Sequence, residues 1–276
     1  MFETVMYMGH PDIRQFIVLI ALMKTGHKAS HPPDLRVPYL FLSSFFLHVL
    51  HTVPFAKAKQ VLYSAHQNSV AAHADLIRRT DCTILLHSRG FPTSAIAQHC
   101  RMETLCVPDM EYLLDDSAPC DHYPYEKSWD EAKHHPCLVV HMPSSSGFPK
   151  PVVWTQSSLM ISDSYNMVPP LDGRPFLWKA VLATPTRRFF AGVSIFEGAG
   201  IPFGIRKVVF HNGVLVLSPP GPVTADIFDQ YLDYADIDAA GSLPSTLEEI
   251  STRPDILVKL RKLGSITYYG RKKMPH

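Results

Sequence analysis

Short apolar runs separated by helix-length amphipathic stretches constrain this chain more than any other feature. Val61 to Ser64, Thr83 to His87, Thr104 to Val107, Leu138 to His141, Val214 to Leu217 and Ser265 to Tyr269 each read as a strand of four or five residues. Between them lie patterns of helical period. Ile13, Phe16, Ile17, Ile20, Ala21 and Met23 fall on one face, with Gly26 placed to stop that helix. Asn68-Ser69 can cap a helix running to about Arg79, and another spans Pro92 to His99. Thr224 can cap a helix within Pro222 to Tyr231, Ser245-x-x-Glu248 reads as a capping box, and Pro254 opens a further helix. This alternation predicts an α/β fold of mostly parallel sheets flanked by helices. At 276 residues it fills one large domain or two small ones. Prolines, 24 against 14 glycines, punctuate many of the elements.

Several function classes fall away on composition. A net charge of +1 gives no field to collect nucleic acid or an anionic membrane, and the basic tail Arg271-Lys272-Lys273 is too short for specific binding. Cys82, Cys100, Cys106, Cys120 and Cys137 are odd in number and form no C-x-x-C pair. A disulfide framework or zinc knuckle is not expected; free thiols in a reducing compartment, the cytoplasm, are. The start, Met1-Phe2-Glu3-Thr4, has no basic segment followed by an apolar one, so no secretory leader is read. Residues 37–56 lack Asp, Glu, Lys and Arg and approach the ~20 residues of a spanning helix. Pro38 and Pro54 bracket them, and Ser43, Ser44, His48 and His51 interrupt them, so a membrane span is not expected. His122, His134, His135 and His141 have no carboxylate or cysteine at a familiar ligand spacing, which argues against a metal site. No G-x-S-x-G elbow surrounds Ser144-Ser145-Ser146, and Asp115-Asp116 reads as a solvated helix end.

One segment carries chemistry. Leu138 to Thr155, LVVHMPSSSGFPKPVVWT, runs from an apolar strand into a loop with three serines, a glycine and a lysine. Hydroxyls, backbone N–H groups and an ammonium in a short turn can hold phosphate oxygens. A Walker A loop would need a glycine before the lysine and Ser or Thr after it; Lys150 follows Pro149 and precedes Pro151. An ordinary polar surface loop is the alternative on spacing alone.

This loop resembles the signature of the adenylate-forming superfamily, T-S-G-[ST]-[ST]-G-x-P-K-x-V, which includes acyl-CoA synthetases and peptide-synthetase adenylation domains. His141 before the loop and Phe148-Pro149-Lys150-Pro151 within it are similar to fungal nonribosomal-peptide-synthetase-like proteins of the aminoadipate-reductase type. YMGHPDIRQFIVLIALMKTGHK, the run from Val61 to Leu86, TRRFFAGVSIFEGAG, VLVLSPPGPVTADIFDQYL and ITYYG resemble further segments in the same order. The resemblance implies a partial N-terminal adenylation body over 1–276, with ATP and Mg²⁺ as cofactors and a carboxylic acid as substrate. In a complete relative a phosphopantetheine carrier domain would be the partner. By the same resemblance Ser144, Ser145, Ser146, Gly147 and Lys150 would hold the phosphates, and Thr155 matches the polar residue after the loop. It also favours a helix over Pro202 to His211, with Gly213 just beyond its end, where Asn212-Gly213 by itself suggests a hairpin.

Departures from that pattern lower the expected activity. Pro143 stands where the signature has serine and removes an N–H; Ser144 stands where it has its first glycine. Glu197 replaces the histidine of the F-H-x-x-G segment and would repel a carboxylate substrate. No aromatic-Gly-x-[ST]-E segment, T-G-D segment or lid lysine follows Tyr269-Gly270 in this sequence. The expectation is therefore a fragment, short at both ends relative to the family, with weak or lost ATP binding and no turnover of its own; a non-catalytic remnant or interaction scaffold is the alternative. Residues 30–60 are expected to be an anomalous apolar insert, a retained intron or gene-model error, dividing what would be one strand; a membrane or partner-binding hairpin is the alternative.

Overall fold

The computed structural model describes residues 3–25, 59–64, 68–115, 125, 127–142, 147–161, 163–174, 176, 188–193, 200–219 and 221–270. Expectations about Gly26, most of the 30–60 segment, Ser144 to Ser146 and Glu197 lie outside these residues. The chain divides into two compact units, residues 1–158 and 159–276.

The first unit is built on a six-stranded sheet in the order β4-β3-β1-β2-β5-β6. Its strands are β1 (Glu3–Met8), β2 (Lys59–Tyr63), β3 (Cys82–Ser88), β4 (Glu103–Val107), β5 (Pro136–Met142) and β6 (Lys150–Thr155). The first five are parallel, and β6 returns antiparallel to β5. Helices α1 (Arg14–Thr25), α2 (Val70–Arg79), α3 (Ser94–Cys100), α4 (Met110–Leu114) and α5 (Trp129–Ala132) lie in the connections. Central β1 was not read as a strand from the sequence. Its Val5, Met6, Tyr7 and Met8 are all buried, an apolar run without the alternation of a half-exposed strand. Leu62, Leu76, Ile77, Leu85, Ile96 and Val139 close the core on one face.

Strand β2 begins at Lys59, two residues before the expected start. Lys59 and Gln60 pair with Glu3 and Thr4, and the Gln60 side-chain amide donates to Thr4 Oγ1 at 2.9 Å. Lys59 and Gln60, the last two residues of the expected 30–60 insert, are therefore residues of this strand.

The second unit holds a four-stranded parallel sheet, β10-β9-β7-β8. These are β7 (Arg188–Gly192), β8 (Val214–Leu217), β9 (Ala239–Ser242) and β10 (Ser265–Tyr268), joined by helices that include α7 (Gly200–Ile205), α8 (Ala225–Tyr234), α9 (Pro244–Ser251) and α10 (Pro254–Leu260). Phe190, Phe228, Ile250 and Ile256 form the core beneath the last three helices, with the Tyr231 ring stacked on Phe190 at 4.2 Å. Phe189, Ala191 and Ala239 pack on the other face against Tyr165 and Tyr269. Burial on both faces is what a parallel sheet requires.

Asn212-Gly213 makes no hairpin. Helix α7 runs into a π-helical turn over Arg206–Phe210, and β8 then pairs parallel to β7. Asn212 takes the left-handed conformation at φ 47°, which its short polar side chain tolerates, while Gly213 leaves room for the buried Lys207 stem. The expected capping box at Ser245 is also absent. Pro244 starts α9 and Leu243 precedes it, so Ser245 already lies in the first turn. Glu249 instead accepts a hydrogen bond from Ala225 N at the start of α8. A capping box does form at Ser128 and Glu131, which opens α5.

Candidate functional site

The parallel strands of the first unit all finish at one edge of their sheet, and crevices at such edges are where open α/β sheets bind ligands. The chemistry-bearing loop lies there. Strand β5 carries it outward to Met142, and β6 brings the chain back from Lys150, with Met142 opposite Lys150 and His141 opposite Pro151. Gly147 sits in the connection at φ +84°, and a Cβ built on it would touch nothing. The backbone conformation, not crowding, is what calls for glycine there. Lys150 is exposed and forms no ion pair among the described residues. Ser144, Ser145 and Ser146 lie outside the described residues, so Gly147 and Lys150 are the predicted phosphate contacts whose surroundings are visible.

Thr155 is not with them. It ends β6 opposite Pro136, about 17 Å along the strand from Lys150. Its Oγ1 accepts from Ser158 N at 3.2 Å and lies within hydrogen-bond distance of Ser157 and Ser158. It caps the short helix α6 (Gln156–Met160) at the far edge of the sheet.

Polar side chains that sequence reasoning did not connect to one another gather at the carboxyl edge. Ser64 directly follows β2, fully buried, with Oγ 2.9 Å from His73 Nδ1 on α2. Asn68 Nδ2 lies 3.0 Å from Ser64 Oγ and 3.3 Å from His141 Nε2. Burial pushes the His141 pKa down from its ordinary 6.5. At the end of β1, Tyr7 Oη lies 3.2 Å from Ser88 Oγ, and burial pushes the phenol up to about 12. A Cβ on Gly9 would come within 2.2 Å of Ser88 Oγ and 2.4 Å of Tyr7 Oη. Bare backbone is needed at that point. These partners are far apart in sequence, and no local motif announces them.

The second unit has its own carboxyl edge. Ser242 ends β9 fully buried, and its Oγ has no hydrogen-bond partner among the described residues. A Cβ on Gly192 would meet Gly241 O at 2.7 Å, and one on Gly241 would meet the Tyr269 ring at 2.3 Å. The only hint in the sequence is the run of small residues Ala239-Ala240-Gly241-Ser242.

Among the described residues no group of three or more His, Cys, Asp or Glu could hold a metal ion. No helix among them is long and apolar enough to cross a membrane. Cys82 and Cys137 are buried, and burial pushes both thiols up to about 12.

No family profile matches the chain. In sequence it is 25% identical over 278 residues to a carboxylic acid reductase of Neurospora crassa, covering 99% of this chain and 23% of the relative. It is 26% identical over 257 residues to an isocyanide synthase–NRPS hybrid of Aspergillus fumigatus, covering 90% of this chain and 17% of the relative. The chain thus spans less than a quarter of the length of these curated relatives. In structure it matches o-succinylbenzoate CoA synthetase of Bacillus subtilis, solved with an acyl-adenylate intermediate, at a TM-score of 0.64 and 11% identity. That match covers 98% of this chain and 56% of the other. The fold is that of the N-terminal domain of adenylate-forming enzymes, and the sequence relatives support the same superfamily.

Proposed function

We propose that this relative of the adenylate-forming superfamily is part of an ATP-dependent enzyme that activates a carboxylic acid as its acyl-adenylate. The observation that carries this is the β5–β6 hairpin. It sets a left-handed Gly147 and an exposed Lys150, without an ion pair among the described residues, at the carboxyl edge of a parallel sheet. An ammonium so placed attracts a polyanion, and a backbone free of Cβ lets phosphate oxygens come close. Lys150 and the Gly147 backbone, with Ser144, Ser145 and Ser146, would hold the β- and γ-phosphates. ATP supplies the α-phosphorus that the substrate carboxylate attacks, releasing pyrophosphate. Mg²⁺ would arrive with the triphosphate, since the described residues gather no metal site of their own.

The chain's own departures set its strength. Pro143 offers no N–H, and Ser144 pays about 1 kcal/mol wherever the backbone must turn left-handed. Glu197 opposes a carboxylate substrate. The reading is therefore weak nucleotide binding and negligible turnover by this chain alone. A carboxylic acid is the substrate partner, and a phosphopantetheine carrier domain is the macromolecular partner in the longer relatives. The reducing cytoplasm is the proposed location.

Competition experiments test the grip. Mg-ATP bound to the chain should be displaced by tripolyphosphate far more effectively than by AMP, because the contacts are to the outer phosphates. Stronger displacement by AMP would overturn the assignment of Lys150. Pyrophosphate exchange across a panel of acids should stay at background; brisk exchange would contradict the weakened loop.

A second reading, an interaction scaffold, is favoured by one observation. Edge strand β10 leaves Ile266 and Tyr268 40% and 69% exposed, and the preceding helix α10 also exposes Leu257 and Val258. Sedimentation should show association with rising concentration if this edge pairs; a strictly concentration-independent monomer would remove it.

A further inference from the structure

The carboxyl edge of the first sheet contains a continuous chain of polar contacts: His73 Nδ1, Ser64 Oγ, Asn68 Nδ2, His141 Nε2. It links α2, the residue after β2, the residue before the α2 cap and the penultimate residue of β5. His141 is one residue from Met142, the register partner of Lys150. We infer that Asn68 is a positioning residue that locks His141 in its neutral, Nδ1-protonated form, so that protonating His141 loosens the hairpin that presents Lys150. The coupling to phosphate rests on the function proposed above; the lock itself does not.

The argument is one of hydrogen-bond polarity. The Asn68 Nδ2 group only donates. Both neighbours of that nitrogen must therefore accept, and His141 Nε2 accepts only while it carries no proton. Its one hydrogen is then on Nδ1. Ser64 Oγ receives the other Asn68 hydrogen and turns its own hydrogen toward His73 Nδ1, which leaves the His73 proton on Nε2. Each group fixes the polarity of the next. A proton on His141 Nε2 would face the Asn68 amide hydrogens head on. Relief requires Asn68 to turn over, which presents a carbonyl to Ser64 and reverses its hydroxyl in turn. Ser64 and His73 are 0% and 2% exposed, so water does not stand in freely for a broken contact.

The charged and titratable groups on the elements packed against β5 leave this lock intact. On β6 there is Lys150, the residue before the His141 partner Pro151 and itself opposite Met142. On α2 there are His73, already in the chain, and Asp75, bound by Arg78 and Arg79. On α1, Arg14 is bound by Asp12, and Lys24 lies at the opposite end of the helix. On β2, Lys59 is at the opposite end of the strand and Tyr63 donates to Gln15 O. Burial is the cause of the lowered His141 pKa, with no carboxylate among the described residues raising it.

Nitrogen-15 spectra of the histidine side chains test the lock on the whole chain without any ligand, with His141→Gln used to assign the signal. At pH 7.5, His141 should show the Nδ1–H tautomer, and its titration midpoint should lie below 6.5. Asn68→Asp replaces the donor by a carboxylate and should raise that midpoint by at least a full unit; Asn68→Ala should raise it less. An Nε2–H tautomer, or a midpoint unmoved in Asn68→Asp, overturns the lock. Titrating Mg-ATP between pH 5.5 and 8 tests the coupling. Wild-type affinity should fall on acidification through the His141 midpoint, and that step should vanish in His141→Gln. The same step persisting in His141→Gln overturns the coupling. If Mg-ATP binds at no pH while the histidine signals behave as stated, the proposed function fails and the lock stands.

Discussion

Two glycines, Gly147 between β5 and β6 and Gly192 at the end of β7, serve opposite needs, and alanine at each separates them. Gly147 has open space around it and a left-handed backbone, so Gly147→Ala should cost about 1 kcal/mol of strain. Gly192 has no positive φ to satisfy but faces the Gly241 carbonyl at 2.7 Å, so its added methyl must push backbone apart. Gly192→Ala should cost more, about 1–3 kcal/mol. Urea unfolding midpoints measure both, and a Gly147 variant as damaged as the Gly192 one would contradict the assignment. At this scale the sequence could nominate Gly147 and Lys150 because they sit in a contiguous motif. Ser64, Asn68 and His73 were not, since Asn68 and His141 are 73 residues apart and meet only when β2 and β5 pair. Thr155 shows the converse hazard: it adjoins the motif in sequence, yet the strand carries it to the far edge of the sheet.

Local signals for elements were read well where a side chain caps its own helix. Ser69 accepts from Ala72 N at 3.2 Å and Thr224 from Ile227 N at 3.3 Å, both as their sequence positions predict. Ser69→Ala and Thr224→Ala should each lower stability by about 1 kcal/mol. Ser245→Ala should cost much less, because Ser245 caps nothing and the Ala225 end is held by Glu249. Equal losses at Thr224 and Ser245 in thermal melts would reverse that ranking. Signals failed where a tertiary contact decided. Asn212-Gly213 has hairpin chemistry, but the parallel pairing of β8 with β7 fixes the direction of the strand that follows. Asn212→Ala, which keeps the left-handed turn without the tolerant side chain, should cost about 1 kcal/mol, and Asn212→Gly should not. Strand β6 was hidden inside the motif segment, because KPVVWT was read as loop chemistry and not as a β-branched run.

For the whole molecule, alternating strand and helix patterns made the mostly parallel α/β architecture legible, since βα connections are what parallel strands need. Its division into two units was left open by length alone. Burial lowers the pKa of His135, His141 and His211 in the folded chain. The unfolded chain then binds more protons, so this contribution is complete above about pH 6.5 and is lost as pH falls through the folded values. Paired Asp130, Glu131 and Asp255 have lowered values, so their contribution is present throughout this interval and is lost only as pH falls below the ordinary carboxylate range. Melting temperature should therefore drop between pH 7.5 and 5.5; a rise over that interval would contradict the burial of these imidazoles. The central claim is that the hairpin of the first unit grips a triphosphate through Lys150. Calorimetric titration of Mg-ATP into the wild-type chain and into Lys150→Ala, side by side at pH 7.5, tests it most directly. The account predicts measurable wild-type binding weakened roughly 10- to 100-fold by the substitution, the scale of a lost charged hydrogen bond. Equal affinity of the two proteins, or no heat from either, would contradict it.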